Sequence, residues 1–210
     1  MKILVTAGPT YERIDPVRFI GNYSTGKMGF AIADALADAG HQVTLVAGPV
    51  QIKQKNSNII RIDVESAHQM YEAVLKWFPD MDGAVLCAAV ADFTPAIVAD
   101  KKIKRENDNL VIELIPTKDI AASVGKIKKQ GQFLVGFALE TNDEEQHALE
   151  KMKRKNLDFI VLNSLKDKGA CFGYDTNKIT ILKVSGEKIE YELKPKREVA
   201  LDILREIEKI

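Results

Sequence analysis

The chain has 210 residues, enough for one substantial α/β domain with its own core. Hydrophobic residues make up 46% and charged residues 29%, a globular balance, and no apolar run approaches the roughly 18 residues needed to span a bilayer. Lysines and arginines number 30, as do aspartates and glutamates, which excludes a global pull toward nucleic acid or an anionic membrane and makes any anion site local. Ile3 to Ala7 is a short apolar run ended by Gly8-Pro9, and Val43 to Ala47 is a second, ended by Gly48-Pro49. Between them a helical pattern runs from about Lys27 to Ala39 and closes at Gly40, completing a βαβ unit. Asn58 to Asp63 reads as a further strand, Ser66 is placed to cap a helix reaching about Phe78, and Gly83 to Ala89 has the unbroken apolar pattern of a strand buried on both faces. Leu110 to Leu114 alternates as a lone strand after a polar, lysine-rich loop. Helices are predicted over Asp119 to Lys129 and Asn142 to Lys155, with strands Phe133 to Ala138 and Phe159 to Leu162 beside them. Lys178 to Val184 and Lys188 to Leu193 flank Ser185-Gly186 as a hairpin. After Pro195 comes an amphipathic helix, Lys196 to Lys209, with Val199, Ile203 and Ile207 on one face.

This alternation predicts an α/β fold of Rossmann-like type, a doubly wound, mainly parallel sheet in a single domain over residues 1–210. The stretches at about 107–115 and 172–195 are expected to form a small antiparallel appendage that pairs two subunits. Cys87 lies in an apolar run and Cys171 in a glycine-flanked stretch, with no CxxC pair to suggest a disulfide or a zinc site. The first residues are too soon interrupted by Gly8-Pro9 to form a signal peptide, which predicts a cytoplasmic protein.

Several motifs fail on inspection. Gly21-Asn22-Tyr23-Ser24-Thr25-Gly26-Lys27-Met28 is one residue from a P-loop, but Met28 stands where a hydroxyl should hold magnesium, and the segment lies far beyond the first strand. No GxGxxG follows that strand, and Gly48-Pro49 stands where an acidic ribose ligand of a nicotinamide enzyme is expected. Tyr23 and Lys27 stand four apart, but Tyr23 precedes the helix, so they do not form the tyrosine–lysine pair of a short-chain dehydrogenase. His41, His68 and His147 are scattered away from any Ser or Cys with an acidic third member, which argues against a protein nucleophile.

What remains is a set of loops at strand ends, where an open α/β sheet binds ligands. The first, Gly8 to Gly29, carries Arg13, Asp15, Arg18, Asn22, Ser24 and Thr25 ahead of a helix N-terminus whose free amides favour anions. The second, Ala88 to Phe93, is built of small residues that admit close approach and is followed by Lys101-Lys102-Ile103-Lys104-Arg105. Pro116 to Ile120 turns into a helix, and Gly136 to Asn142 leads to Lys151 and Lys155, one helical turn apart on one face.

Asp15-Pro16-Val17-Arg18, Asn22 to Gly29, Ala88-Ala89-Val90-Ala91-Asp92, Lys102-Ile103-Lys104, Gly136-Phe137-Ala138 and Lys155-Asn156-Leu157-Asp158 together resemble, in order and over nearly the whole chain, the phosphopantothenoylcysteine synthetase family. Members of that family are usually the C-terminal half of a bacterial bifunctional coenzyme A biosynthesis flavoprotein. The resemblance implies a ligase that joins 4′-phosphopantothenate to L-cysteine. CTP, with Mg2+, is converted to CMP and pyrophosphate through an acyl-cytidylate. By position, Asn22 matches the asparagine that holds this intermediate, and Lys102 matches a lysine needed for turnover on a mobile flap. Leu86, Cys87, Ala88, Asp92, Lys102, Thr117, Lys118, Asp119, Ile120, Phe137, Lys151 and Lys155 match nucleotide-binding positions, and Arg18, Asn22 and Ala89 match substrate-binding ones. A homodimer is implied, fused to or associated with a flavin-dependent decarboxylase domain, and the chain reads as an excised domain of such a protein. Tyr23 and Leu139 depart from the common pattern without removing a functional group. The choice between CTP and ATP, the magnesium ligands and the role of Lys27 stay open, and an NAD(P)-binding oxidoreductase and a non-enzymatic nucleotide-binding dimer remain as alternatives.

Overall fold

An eight-stranded sheet organises the computed structural model, which describes residues 1–105, 109–140, 144–164, 169–170 and 172–210. Its strands are β1 (Lys2–Ala7), β2 (Gln42–Ala47), β3 (Ile60–Asp63), β4 (Gly83–Leu86), β5 (Phe133–Glu140), β6 (Phe159–Ser164), β7 (Thr180–Lys183) and β8 (Lys188–Glu190). In space they run β3-β2-β1-β4-β5-β6-β7-β8. The first six are mutually parallel, β7 continues the sheet antiparallel to β6, and β8 pairs antiparallel with β7. That is the doubly wound order predicted from the alternation, with the strand order reversing between β1 and β4.

The period of two in each strand divides the core into two layers. Ile3, Val5, Ala7, Phe133, Val135, Phe159 and Val161 pack with α1 (Lys27–Asp38) and α5 (Lys196–Ile207) on one face. Leu4, Leu134, Ile160 and Leu162 pack on the other face with α2 (Ala67–Trp77), α3 (Ile120–Ile127) and α4 (Glu144–Arg154). Both faces are covered, which is why these strands read as continuous apolar runs. Val199, Ile203 and Ile207 of α5 are buried as their spacing predicts. Ser66 caps α2 in a reciprocal box with Gln69, and Asp119 caps α3 by accepting from the Ala122 amide at 3.0 Å. The start of the helix expected from Asn142 lies outside the described residues; α4 begins at Glu144.

Three features differ from the sequence reading. The hairpin around Ser185-Gly186 is present, but it joins the main sheet through β6 rather than standing apart as an appendage. The reason is burial: Ile181 packs into one core layer and Leu182 into the other, so β7 is covered on both faces. Leu110 and Val111 are exposed and outside any strand; only Leu114–Pro116 pairs, antiparallel to Phe93–Pro95. Residues 107–108 of that expected stretch lie outside the described residues. Finally, the 8–29 loop holds a short hairpin of its own, Tyr11–Arg13 against Phe19–Gly21, with the Tyr11 and Phe19 rings stacked at 3.8 Å. Among the described residues, no helix is long and apolar enough to cross a membrane.

Candidate functional site

The crevice at the strand-order reversal is built by short-range locks. Gly8, at φ 83, turns the chain out of β1, and its carbonyl accepts the Ala89 amide at 2.9 Å. The Thr6 hydroxyl accepts from the Ala88 amide at 3.1 Å, and the buried Thr10 hydroxyl accepts from the Ala91 amide at 3.0 Å. These bonds satisfy the Ala88, Ala89 and Ala91 amides of the small-residue loop 88–92 and fix it beside β1. Asn22 then donates from Nδ2 to the Ala89 carbonyl at 2.9 Å, so the two loops meet at Asn22. Beyond it, Gly26 (φ 79) begins α1 without a side-chain cap.

Two adjoining cavities open here. The first, about 340 Å³, is lined by Asn22, Ser24, Cys87 and Ala89 together with Lys196 and Asn163. The second, about 410 Å³, is lined by Leu86, Thr117, Lys118, Asp119, Ile120 and Lys155. Ala88, Asp92, Phe137 and Lys151 face both. The structure therefore brings together every residue that the resemblance assigned to catalysis or binding except Arg18 and Lys102, which line neither cavity.

The charges in the second cavity are already organised. Lys155 pairs with Asp119 at 2.9 Å, and Lys151 donates to the Phe137 carbonyl at 3.0 Å. Burial raises the Asp119 pKa, but the Ala122 amide and Lys155 outweigh it and hold the carboxyl below its ordinary value. The ammonium of Lys118 sits 4.8 Å from the centre of the Tyr71 ring. The Thr117 hydroxyl donates to the Ala91 carbonyl at 2.7 Å, tying this loop to the 88–92 loop. In the first cavity, burial pushes the Cys87 thiol up to about 12 against the opposing influence of Lys196. Cys87 is therefore a neutral wall residue at physiological pH and supplies no thiolate.

Arg18 and Lys102 belong to a separate construction. Asp15, only 1% exposed, accepts from the Val17 and Arg18 amides, from the Arg18 guanidinium and from the Ile103 amide at 3.1 Å. Arg18 also donates to the Ile103 carbonyl at 2.6 Å. These bonds outweigh the burial that would raise the Asp15 pKa, and its carboxyl lies well below the usual carboxylate range. Lys102 is exposed on the segment thus held.

The site also contains residues that pattern reading missed. Lys196, 8% exposed, donates to the Tyr174 carbonyl and lines the first cavity. Asn163 donates to Asn177 at 3.1 Å, whose own amide reaches the Met28 sulfur at 3.7 Å. Lys27 opens α1 and pairs with Asp175 at 2.6 Å, which holds the Asp175 carboxyl below its ordinary value. Asn163 could have been found by extending the strand-end rule past Leu162. Nothing local marks Lys196 or Asp175, which reach the site through the tertiary fold.

A family model described as the DNA/pantothenate metabolism flavoprotein C-terminal domain matches residues 1–210. Among curated proteins, the coenzyme A biosynthesis bifunctional protein CoaBC of Bacillus subtilis (strain 168) is 47% identical over 205 residues, covering 98% of this chain and 50% of that protein. A protein named cysteine/cysteine sulfinic acid decarboxylase, from an unknown prokaryotic organism, is 58% identical over 206 residues, covering 98% of this chain and 57% of its own length. The chain thus spans about half the length of these curated relatives. Among solved structures, the C-terminal domain of the CoaBC bifunctional protein superposes with a TM-score of 0.84 at 41% identity, covering 99% of this chain and 94% of that one. On the match over its whole length and these identities, the chain belongs to the DNA/pantothenate metabolism flavoprotein C-terminal domain family.

Proposed function

We propose that this domain is the ligase that joins 4′-phosphopantothenate to L-cysteine, using CTP by way of an acyl-cytidylate. The observation that carries the reading is Asn22, which meets the Ala89 carbonyl at 2.9 Å where two substrate-sized cavities adjoin. In the first step the pantothenate carboxylate attacks the nucleotide α-phosphorus and pyrophosphate leaves; in the second the cysteine amine attacks the acyl carbon and CMP leaves. Neither step needs a protein nucleophile, in keeping with the protonated Cys87. What the steps need is charge neutralisation along the phosphates and fixed placement of the reactants. Lys151 and Lys155 supply cations beside the second cavity, and the uncapped α1 terminus presents amides to the first. Magnesium would enter as the nucleotide complex, since no group of three His, Cys, Asp or Glu side chains able to hold a metal occurs among the described residues; phosphate and water would complete its shell. The related protein named a decarboxylase extends well beyond the matched region, so its printed activity does not single out this half.

The test is product analysis with CTP, magnesium, phosphopantothenate and cysteine. CMP and pyrophosphate are expected, and no pyrophosphate above a no-enzyme control would overturn the ligase reading. Asn22→Asp replaces a donor by an acceptor-only carboxylate facing the Ala89 carbonyl. It should keep CTP binding and lose the aminolysis step, whereas wild-type product formation would remove Asn22 from the mechanism.

A further inference from the structure

We infer that Asp15 is a positioning residue that fixes the Lys102 segment to the loop carrying Asn22, acting through the Ile103 backbone and through Arg18. This rests on the reading of Lys102 as a residue of the reaction.

The argument starts from how fully Asp15 is used. One carboxylate oxygen takes the Val17 amide at 2.8 Å and the Arg18 amide at 2.9 Å, an ordinary turn built on its own loop. A local turn accounts for that oxygen alone. The other oxygen takes Arg18 Nε at 3.0 Å and the Ile103 amide at 3.1 Å, and the latter comes from 88 residues away in sequence. Arg18, oriented by the same carboxylate, reaches across to the Ile103 carbonyl. Both polar atoms of one peptide unit's residue are thereby gripped from the 8–29 loop. The Ile103 side chain is not what is recognised; its backbone is.

A second tie lies nearby, where the Ala99 amide donates to the Ile14 carbonyl at 3.0 Å. Residues 99 and 103 are therefore pinned to consecutive residues 14 and 15. Lys102 sits just inside the pinned stretch, so its backbone is placed while its long side chain stays exposed. That combination suits a cation that must meet developing phosphate charge during turnover but is absent from the cavity walls. Asn22 lies seven residues beyond Asp15 on the same loop. One loop thus carries the proposed intermediate-holding asparagine and anchors the segment bearing the proposed turnover lysine.

The experiment pairs two variants. Asp15→Asn weakens the grip from the loop side, and Ile103→Pro removes the amide donor from the segment side without touching the loop. Lys101, Lys102, Lys104 and Arg105 make the segment a tryptic reporter, with peptides identified by mass spectrometry. Each variant should be cut within residues 101–105 about tenfold faster than wild type, while sites elsewhere are cut at unchanged rates. Each should also lower kcat for pyrophosphate release by about 100-fold with little change in the KM for CTP, the signature of lost positioning. The double variant should be no worse than either single one. Unchanged segment cleavage, retained kcat, or additive losses would each overturn the inference. If Asp15→Asn does not fold, Ile103→Pro still decides. Faster cleavage in the variants beside a wild-type protein that releases no pyrophosphate would leave the anchor standing and overturn the ligase reading instead.

Discussion

Gly48→Ala is expected to damage both the fold and the site, for a reason visible only in three dimensions. A Cβ at Gly48 would stand 1.7 Å from the Pro9 carbonyl oxygen and 2.9 Å from its carbon. A carbon and a carbonyl oxygen need about 3.3 Å, so the Pro9 backbone would have to retreat by about 1.5 Å. Backbone cannot rotate away as a side chain can. Overpacking of this kind costs about 1–3 kcal/mol or more, and the retreat strains the Gly48-to-Ala7 and Ala89-to-Gly8 hydrogen bonds, each worth about 1 kcal/mol. The loss should total about 4 kcal/mol, a fall in Tm of about 8–16 °C for a chain of this size. Because Pro9 bridges Ala89, whose carbonyl receives Asn22, product formation should fall as well. Gly40→Ala is the control: it has φ 87 and nothing within 4 Å of its added Cβ, so only conformational strain of about 1–2 kcal/mol is expected. Urea denaturation of both variants, followed by circular dichroism with the slope held constant, measures the difference. Equal destabilisation of the two would refute the packing argument.

Two further predictions address assembly and pH. If the proposed dimer pairs through exposed apolar side chains, Ile97 and Val111, 84% and 87% exposed, are the positions at which to test it. Ile97→Asp should shift sedimentation from two chains to one with an unchanged Tm; a wild-type protein sedimenting as one chain would remove the dimer. Tyr191 is raised to about 12 by burial and by the carboxylates Glu206 and Asp202, against the opposing pull of Lys183. With its folded value above the ordinary one of about 10, its contribution to stability is complete below pH about 10 and is lost as pH rises toward 12. Absorbance at alkaline pH should show one late-titrating tyrosine that Tyr191→Phe abolishes, and a single titration of all tyrosines near 10 would contradict this.

The parallel sheet was legible because burial on both faces leaves a direct trace, the apolar runs of β1 and β2, each followed by glycine, and that of β4, which starts at Gly83. Capping was equally legible at Ser66, where a short polar side chain precedes a helical period, whereas Asp119, read as the first helical residue, is the cap of α3. The hairpin after Lys178 was found, but not its partner. Strand pairing is a long-range choice, and Ile181 and Leu182 show their two-sided burial only once α5 and α4 are in place. Gly48 looked like a turn residue before Pro49; its requirement comes from Pro9, 39 residues earlier. Arg18 was assigned a substrate-binding role only by its match to the family's pattern. Its assignment to Asp15 and Ile103 depends on a contact across 85 residues that no local pattern announces.

The pairing of these cations bears on Lys27, which the sequence left undecided between phosphate ligand and helix-start residue. It is structurally the first residue of α1, yet its ammonium is tied to Asp175, a carboxylate 87% exposed on its side chain. Such an exposed pair holds little free energy in water, so exchanging Asp175 for a phosphate oxygen gives up little. Lys155 is intermediate, with its own side chain 12% exposed and that of its partner Asp119 46%. Arg18 is the opposite case: the Asp15 side chain is wholly buried, and withdrawing the guanidinium would leave a carboxylate with no water to replace it. The same criterion therefore separates cations that can change partners from one that holds a loop in place. Lys27 lines the first cavity and Lys155 the second, while Arg18 belongs to the loop that holds the Ile103 backbone.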